Sequence, residues 1–352
     1  MANLASINNF RPSLQVLSII GDLAEFKGAW SSLSNISPER LTRLRHVATI
    51  ESIGSSTRIE GSSLSDEQVE RLLTGLNVQS LVTRDEEEVA GYAEAMELIF
   101  ESWSSIPISE NHIKQMHGIL LKYSQKDARH RGKYKTVSNH VEAFDEDGKS
   151  LGVIFKTVSP FETPFRMTEL VEWTNLSLEE GQLHPLIVVA VFVVAFLSIH
   201  AFQDGNGRLS RILTTLLLLK TGYGYAQYSS LESVIEASRE HYYLALRKTQ
   251  QTLDNPEPDW ESWILYFLRS MQTQKNKLQQ KLETNRILEG DLPALSVRIL
   301  ELIKEQGKMQ ISAMELLTQE NRSTLKLRVN ELLAKGKIVR HGRGRATWYS
   351  LP

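Results

Sequence analysis

The sequence predicts a mainly helical protein with one β-hairpin and a small basic domain at its C-terminal end. Apolar residues recur at helical spacing through most of the 352 residues, which is the pattern of amphipathic helices. Between Arg129 and Pro160 this spacing gives way to a loose alternation around the turn sequence Asp145–Gly148, as expected of a hairpin. The charge also changes, because residues 294–352 hold eleven Lys and Arg against five Glu in a chain whose net charge is -2. We therefore predict a helical N-terminal region (1–80), a core domain (81–271), a linker helix (272–293) and a C-terminal domain (294–352).

The composition limits both the cellular compartment to be expected and the kinds of catalytic or metal site that the chain can form. The chain has no cysteine, which excludes disulfides, zinc-thiolate sites and cysteine nucleophiles and fits a reducing compartment. The first residues lack a positive segment followed by an apolar one, so no secretion signal is predicted. The longest apolar run, Pro185–Ile199, is shorter than the roughly 18 to 20 residues that a membrane span needs. We expect a cytoplasmic protein with no membrane partner, in which this run is a buried core helix.

Helices are predicted from the N-terminal region onwards. Glu39–Arg58 has a helical period, and Ser65 with Gln68 forms a capping box ahead of the next apolar stripe. Four acidic residues open the segment Asp85–Phe100, where they suit the positive end of a helix dipole. The other core helices are expected at Ser109–Tyr123, Phe165–Leu176, Pro185–His200, Asn206–Gly222, Glu232–Gln251 and Trp260–Met271.

The hairpin and the C-terminal domain are the two places where strands are expected. The hairpin lies within Lys135–Phe155, with Tyr134 and Val141 among the alternating residues before its turn. After the linker helix, which Gly290–Pro293 ends, the chain shows three short helices and a hairpin around Gly342–Gly344. That order resembles a winged helix, a variant of the helix-turn-helix.

Residues 200–211, HAFQDGNGRLSR, combine the groups that a nucleotide-phosphate site needs. Gly205–Gly207 at a helix start would present backbone N–H groups to an anion, helped by the helix dipole. Arg208 and Arg211 project from the same first turn, and guanidinium groups match phosphate oxygens. Asp204 suits Mg²⁺, which takes few carboxylates and shares its other positions with water and phosphate. His200, whose ordinary pKa is near 6.5, can accept a hydroxyl proton as a general base.

This pattern, H-x-F-x-D-G-N-G-R-x-x-R, resembles the signature of Fic-domain proteins, most of which transfer AMP from ATP to a protein hydroxyl. Ala201, where many members have proline, is the one visible departure. The resemblance covers about residues 60–290 and implies an all-helical Fic core with a β-hairpin flap. It also implies that His200 is the base, that Asp204 holds Mg²⁺, that Gly205 to Arg208 bind ATP phosphates and that Arg211 binds the γ-phosphate. The products would be AMP-protein and pyrophosphate.

A second motif lies before the core. Ser56–Gly61 matches S-x-x-x-E-G, which resembles the inhibitory-helix motif of Fic proteins, and its N-terminal position corresponds to their class II arrangement. The resemblance implies that Glu60 pairs with Arg211 and so occupies the cation that should hold the γ-phosphate. A glutamate here also orients water for AMP removal in some members, so de-AMPylation by the same site stays an alternative.

The resemblance also implies where the target and the adenine bind. The hairpin would be the flap that docks a target protein by β-augmentation, with Asn139, His140 and Val141 as the nearest match to its strand. Tyr242 and Tyr243 resemble the adenine-side pair, and Gln250 is assigned to the same pocket. Trp260, Trp263, His117, His184 and His241 are interpreted as structural.

The basic C-terminal domain supports a further alternative, a winged-helix regulator that binds DNA. Residues suited to a DNA backbone are Arg322, Lys326, Arg328, Arg340, Arg343 and Arg345. Winged helices also bind proteins or dimerise, so a protein partner and a homodimer stay open, as does modification of the chain by itself.

Overall fold

The computed structural model describes residues 4–31, 36, 38–75, 81, 83–139, 141–144, 150–289, 292–342, 344 and 347–352. The chain divides into two units, Met1–Leu278 and Gln279–Pro352. Helices that begin in the first unit are α1 (Leu14–Ser31), α2 (Pro38–Ile59), α3 (Asp66–Thr74), α4 (Arg84–Ser102), α5 (Glu110–Leu120), α6 (Thr163–Glu180), α7 (Pro185–Ile199), α8 (Asn206–Lys220), α9 (Glu232–Ala237), α10 (Arg239–Gln250) and α11 (Trp260–Glu289). Its strands are β1 (Val141–Phe144) and β2 (Ser150–Phe155).

The centre of the first unit is α7, and the expectation of a buried core helix is confirmed. Every residue from Leu186 to Ile199 is buried, as required of a helix that is apolar on all sides. Pro185 begins the helix, where a missing N–H costs nothing, and the ring of His184 accepts a hydrogen bond from the N–H of Leu186. α6, α8 and α10 pack against α7. Across the described ranges, no helix combines the length and apolarity needed to span a membrane.

The N-terminal helices are part of the first unit and not a separate region. α2 packs against α3, α4, α8 and α9, with Ile50, Ile53 and Ile59 buried. The capping box of Ser65 and Gln68 is confirmed at the start of α3. The predicted boundary near residue 80 is therefore not a domain boundary, because α2 buries its apolar face against the helices that follow.

The hairpin is present, but its first strand starts later than predicted. β1 and β2 pair antiparallel, with Val141 opposite Phe155 and register shifts next to Val141 and before Phe144. Residues 135–139 lie outside the strands. Two of their side chains, Lys135 and Asn139, bond inward to the end of α7. The backbone N–H of Lys135 donates to the Ala201 carbonyl, so it does not pair with a strand.

The second unit contains α12 (Ala294–Gln306), α13 (Ile311–Thr318) and α14 (Arg322–Ala334), followed by the antiparallel strands β3 (Val339–His341) and β4 (Trp348–Ser350). Its core includes Ile299, Leu325 and Val329. The observed order agrees with the three helices and hairpin expected from the sequence. The predicted linker helix is not a separate element, since residues 272–289 continue α11 without a break.

Candidate active site

The turn between α7 and α8 contains the residues that the sequence singled out. His200 follows the last residue of α7 in the left-handed conformation, with φ of 53°. This conformation costs about 1 to 2 kcal/mol for a residue with a side chain and persists only where surrounding contacts fix it. Gly205, with φ of 78°, is also left-handed and caps the start of α8. The two reversals let the chain turn sharply from one helix into the next.

The imidazole of His200 is neutral. Its Nδ1 lies 3.4 Å from the carbonyl oxygen of Leu197. Because a carbonyl only accepts, this contact assigns the proton to Nδ1 and leaves a lone pair on Nε2. Burial, reinforced by the charge of Lys135, lowers the pKa of His200 to about 4. At neutral pH the ring is therefore uncharged, and Nε2 can accept a proton from a hydroxyl group.

The start of α8 is shaped for an anion by its backbone. Gly205 and Gly207 carry no side chains, and Asn206 uses its amide within the turn. Asn206 Oδ1 accepts from the N–H of Phe202 at 2.9 Å, and its Nδ2 donates to the Phe202 carbonyl at 2.6 Å. The side chain of Asn206 is thus not available to phosphate, but its backbone N–H is. At a helix start that N–H has no partner within the helix.

Glu60 lies in the space beside this helix start. A Cβ atom on Gly207 would overlap the Glu60 carboxylate, and Glu60 Oε1 is 2.7 Å from Nη2 of Arg211. The same guanidinium donates to the hydroxyl of Ser56 at 2.7 Å and to its carbonyl at 3.0 Å. The ion pair implied by the family resemblance is therefore present in the structure. Each of these hydrogen bonds from Arg211 goes to α2 or to the turn that follows it.

Arg208 makes different contacts from the phosphate contacts expected of it. Its guanidinium is 2% exposed and lies 2.8 Å from a carboxylate oxygen of Glu88 and 3.0 Å from Asp204. A buried cation is costly unless it is paired, which explains why it turns to these two carboxylates. In this conformation Arg208 pairs with Asp204, and its assignment to the phosphates stays a prediction.

Asp204 remains suited to Mg²⁺. Its carboxylate also accepts from Arg84 Nη2 at 3.1 Å. Burial alone would raise the pKa of Asp204, but the charges of Arg208 and Arg84 lower it, so the group is ionised at neutral pH. No group of three or more His, Asp or Glu side chains suited to a metal occurs in the described part of the chain. A single carboxylate is nevertheless what Mg²⁺ uses when phosphate oxygens and water supply its other ligands.

His117 supports this turn in a way that the sequence could not indicate. Its Nδ1 accepts from the N–H of Gly132 at 2.9 Å, so Nε2 carries the proton and donates to the Asp204 carbonyl at 3.0 Å. The ring stacks on Phe202 with centroids 3.9 Å apart. Burial lowers the pKa of His117 to about 4, which keeps this arrangement neutral. The structural role expected for His117 is thus observed, with the carbonyl of Asp204 as its partner.

Two of the three residues assigned to adenine, Tyr242 and Gln250, line different cavities. Tyr242 is buried, lines a small cavity with Arg211 and packs edge-on against Trp263. Tyr243 is 39% exposed and contacts Tyr242 at a centroid distance of 5.1 Å. Gln250 instead donates to Ser198 at 3.2 Å and lines a separate cavity of about 230 Å³. Eight residues along α10 separate Gln250 from Tyr242, which places it about 12 Å further along the helix axis.

The three residues assigned to target docking have different locations. Asn139 precedes β1, and both ends of its amide bond within the protein, to Lys135 and to the Phe202 carbonyl. His140 lies outside the described residues. Val141 is the first residue of β1 and takes part in the backbone pairing with β2.

Comparison with known proteins finds a family that is similar to the part of the chain containing this turn. Residues 107–218 match the Fic/DOC family. This segment resembles a Fic domain. The matched segment extends from the loop before α5 into α8, and it contains both strands of the hairpin and the whole of the 200–211 turn. Glu60 lies outside the matched segment.

Two curated proteins are similar in sequence to about half of the chain. Protein adenylyltransferase Fic of Drosophila grimshawi is 27% identical over 185 residues, which are 52% of this chain and 35% of that protein. Protein adenylyltransferase fic-1 of Caenorhabditis briggsae is 28% identical over 169 residues, 47% of this chain and 31% of that protein. The chain thus spans about a third of the length of these curated relatives.

Two solved structures are similar in fold over a larger part of the chain. A Fic family protein from Desulfovibrio desulfuricans has a TM-score of 0.68 at 20% identity and covers 97% of both chains. A Fic domain-containing signalling protein from Bacteroides thetaiotaomicron has a TM-score of 0.58 at 25% identity, over 73% of this chain and 97% of that one.

Proposed function

We propose that this chain transfers AMP from ATP to a hydroxyl group of a protein. The observation that carries the proposal is the neutral His200 next to a helix start that is shaped for an anion and flanked by Arg211. The two curated relatives described above are both named protein adenylyltransferases, which supports the same reaction.

In the proposed reaction, the hydroxyl oxygen of the target attacks the α-phosphorus of ATP while Nε2 of His200 takes the hydroxyl proton. The bond from the α-phosphorus to its bridging oxygen breaks, and pyrophosphate leaves with that oxygen. Backbone N–H groups at the start of α8 and the guanidinium of Arg211 would bind the phosphates. Asp204 would hold Mg²⁺, which when bound neutralises phosphate charge.

Glu60 inhibits this reaction in the proposal. Its carboxylate holds Arg211 at 2.7 Å and lies against Gly207, so it competes with the phosphates for both a cation and the space at the helix start. A bound nucleotide would be misplaced until Glu60 moves. Glu60→Gly should therefore raise activity, whereas Glu60→Gln, which keeps the volume and loses the charge, should raise it less.

The partner proposed for the flap is a segment of a target protein. In the described part of the chain, β1 and β2 pair only with each other, so each strand has one edge without a partner. An extended peptide can add to such an edge through main-chain hydrogen bonds. This mode would bring a target side chain towards His200 without requiring a particular target sequence.

The decisive experiment incubates Glu60→Gly protein with Mg²⁺ and α-labelled ATP, with Glu60→Gly/His200→Ala protein as the control. Covalent label on an added protein or on the chain itself, lost in the control, is the expected result. Bound ATP without label in either protein would overturn AMP transfer. AMP release from a pre-labelled protein that requires Glu60 would instead favour AMP removal.

A second function is favoured by one surface of the C-terminal unit, and we propose that α14 and β3 bind DNA. The side chains of Lys326 and Asn330 on α14 and of Arg340 on β3 are exposed and make no hydrogen bond or ion pair with the described residues. Asn and Lys side chains are suited to base edges in the major groove. Arg322 and Arg328 contribute less than expected, because they pair with Glu315 and Glu331. Arg343 and Arg345 lie outside the described residues.

This proposal is tested with the full chain and a fluorescent DNA duplex of about 20 base pairs, by anisotropy at several salt concentrations. Binding should weaken as salt rises, by about 0.9 log units per log unit of salt for each phosphate contact. Lys326→Glu should weaken binding further, while Lys304→Glu, the same charge change on α12, should not. Equal effects of the two variants, or no binding at low salt, would remove DNA as the partner.

A further inference from the structure

Four successive carbonyl groups around His200 accept hydrogen bonds from two residues, Lys135 and Asn139. We call this pair the carbonyl clamp. The Lys135 ammonium and backbone N–H donate to the first and third carbonyls of the series, and the Asn139 amide donates to the second and fourth. The acceptors are Ile199 at 3.1 Å, His200 at 3.3 Å, Ala201 at 2.9 Å and Phe202 at 2.6 Å.

The carbonyl clamp binds the backbone at the C-terminal end of α7 and at the left-handed residue that follows it. The carbonyls at the C-terminal end of a helix have no partner within that helix, and a cation there also interacts favourably with the helix dipole. Lys135 meets both needs at Ile199, the last residue of α7. The next residue, His200, has the unfavourable left-handed backbone. Because the carbonyls before and after His200 are held by hydrogen bonds, its backbone cannot easily relax to a right-handed or extended conformation.

The side chain of Lys135 is buried, and its ammonium has only uncharged hydrogen-bond partners. It is 3% exposed, and its ammonium donates three hydrogen bonds, to Ile199, to Asn139 Oδ1 at 2.7 Å and to Thr157 Oγ1 at 3.0 Å. None of these acceptors is a carboxylate. Burial accordingly lowers the pKa of Lys135 to about 8. The three bonds connect Lys135 to groups from three segments of the chain.

The same ammonium joins the two ends of the flap. Asn139 lies just before β1, and Thr157 lies just after β2. The Thr157 hydroxyl also donates to Asn139 Oδ1 at 3.1 Å. The position of the hairpin is thereby connected to the backbone of His200 through side chains that have little exposure to solvent.

We propose that Lys135 and Asn139 are positioning residues that hold His200 in its left-handed conformation and tie it to both ends of the flap. The catalytic consequence rests on the proposed function, since it takes His200 as the base. Breaking the clamp should misplace the imidazole while leaving the nucleotide contacts of α8 intact.

The activity test uses the Glu60→Gly background. Lys135→Met keeps the length of the side chain and removes its donors, and Asn139→Asp keeps an acceptor for Lys135 while losing both donated bonds. Misplacing a catalytic group by about 1 Å costs about 100-fold in rate, so kcat should fall by about that factor while the KM for ATP stays within twofold. Lys133→Met, at an exposed lysine of the same segment, should change neither quantity. A normal kcat in both clamp variants, or a parallel loss of ATP affinity, would overturn the proposal.

A second measurement does not depend on activity. The carbonyl ¹³C resonance of His200, assigned in histidine-labelled protein with His200→Ala, should shift in Asn139→Asp because its hydrogen bond is lost. An unchanged resonance would overturn the clamp even if kcat fell. A shifted resonance in a protein that transfers no AMP would keep the clamp and reject the proposed function.

Discussion

Replacing Glu236 with glutamine should raise AMP labelling by the otherwise unmodified protein, because Glu236 anchors the end of α2 that precedes Glu60. Arg58, in the last turn of α2, donates to both carboxylate oxygens of Glu236, at 2.6 and 2.9 Å. It also donates to Asp66 at 2.9 Å and to the Leu64 carbonyl at 3.0 Å. These bonds fix the last turn of α2 to α9 and to the start of α3, and so fix the direction from which Glu60 approaches Arg211.

The expected increase in AMP labelling by Glu236→Gln follows from these contacts. A hydrogen bond between charged groups contributes about 1.5 to 3 kcal/mol, and a neutral amide in place of the carboxylate keeps part of it. The side chains of Arg58 and Glu236 are 24% and 30% exposed, so screening by water is incomplete. We take a loss of about 1.4 kcal/mol, which corresponds to a tenfold shift in an equilibrium. If Glu60 is displaced in a small fraction of molecules, labelling should rise about tenfold.

The assay compares initial rates of labelling from α-labelled ATP for Glu236→Gln and for Glu240→Gln, the same change at an exposed residue of α10. Burial opposes ionisation of Glu236, but its bonds with Arg58 lower its pKa, so the pair is intact at neutral pH and is lost only as pH falls. In the Glu60→Gly background the Glu236 variant should add nothing. A tenfold rise in that background too, or no rise in either, would refute the coupling of Arg58 to Glu60.

Three other results are expected at and around the turn. Asp204→Ala should abolish labelling at every Mg²⁺ concentration, and retained turnover would remove Asp204 as the metal ligand. Gly207→Ala should abolish labelling even in the Glu60→Gly background, because its Cβ would fill the space that the Glu60 carboxylate takes; labelling of the double variant would contradict this use of the space. The free energy of unfolding should fall as the pH is lowered from 6.5 to 5, by about 2 kcal/mol for each of His117 and His200. The reason is that the pKa of each is lowered to about 4 in the folded protein, so the unfolded chain binds the proton first. Urea titrations should show a smaller fall in His200→Ala, and an equal fall would contradict the burial of a neutral ring.

The helices and the turn could be predicted because their signals are local. Pro185 and the run of apolar residues after it specify a buried helix, and Ser65 with Gln68 specifies a helix start, whatever the rest of the chain does. The glycines of the 200–211 turn likewise indicate a sharp reversal before a helix. Each of these features depends on neighbours within a few residues.

The contacts between distant segments could not be predicted in the same way. Arg208 is a plausible phosphate ligand in sequence, and only the fold reveals that Glu88, 120 positions earlier, competes for it. Asn139 resembles a strand residue, but the carbonyls of His200 and Phe202, in the turn after α7, accept from its amide. In both cases a polar side chain takes a partner that offsets its desolvation, and that partner is set by tertiary packing.

The position of Glu60 at the end of α2 determines how much of the protein must move for the arginine to be freed. From Ser52 to Thr57 every residue of α2 is buried, whereas Glu60 and Gly61, which has φ of 106°, are exposed in the turn beyond the helix. Pulling the whole helix away would bring Ile50 and Ile53 into water at about 2 kcal/mol each. Rotating the short exposed turn would cost little apolar burial. Under the proposed inhibition, a binding partner would therefore need to contact only this exposed turn in order to free the buried guanidinium of Arg211.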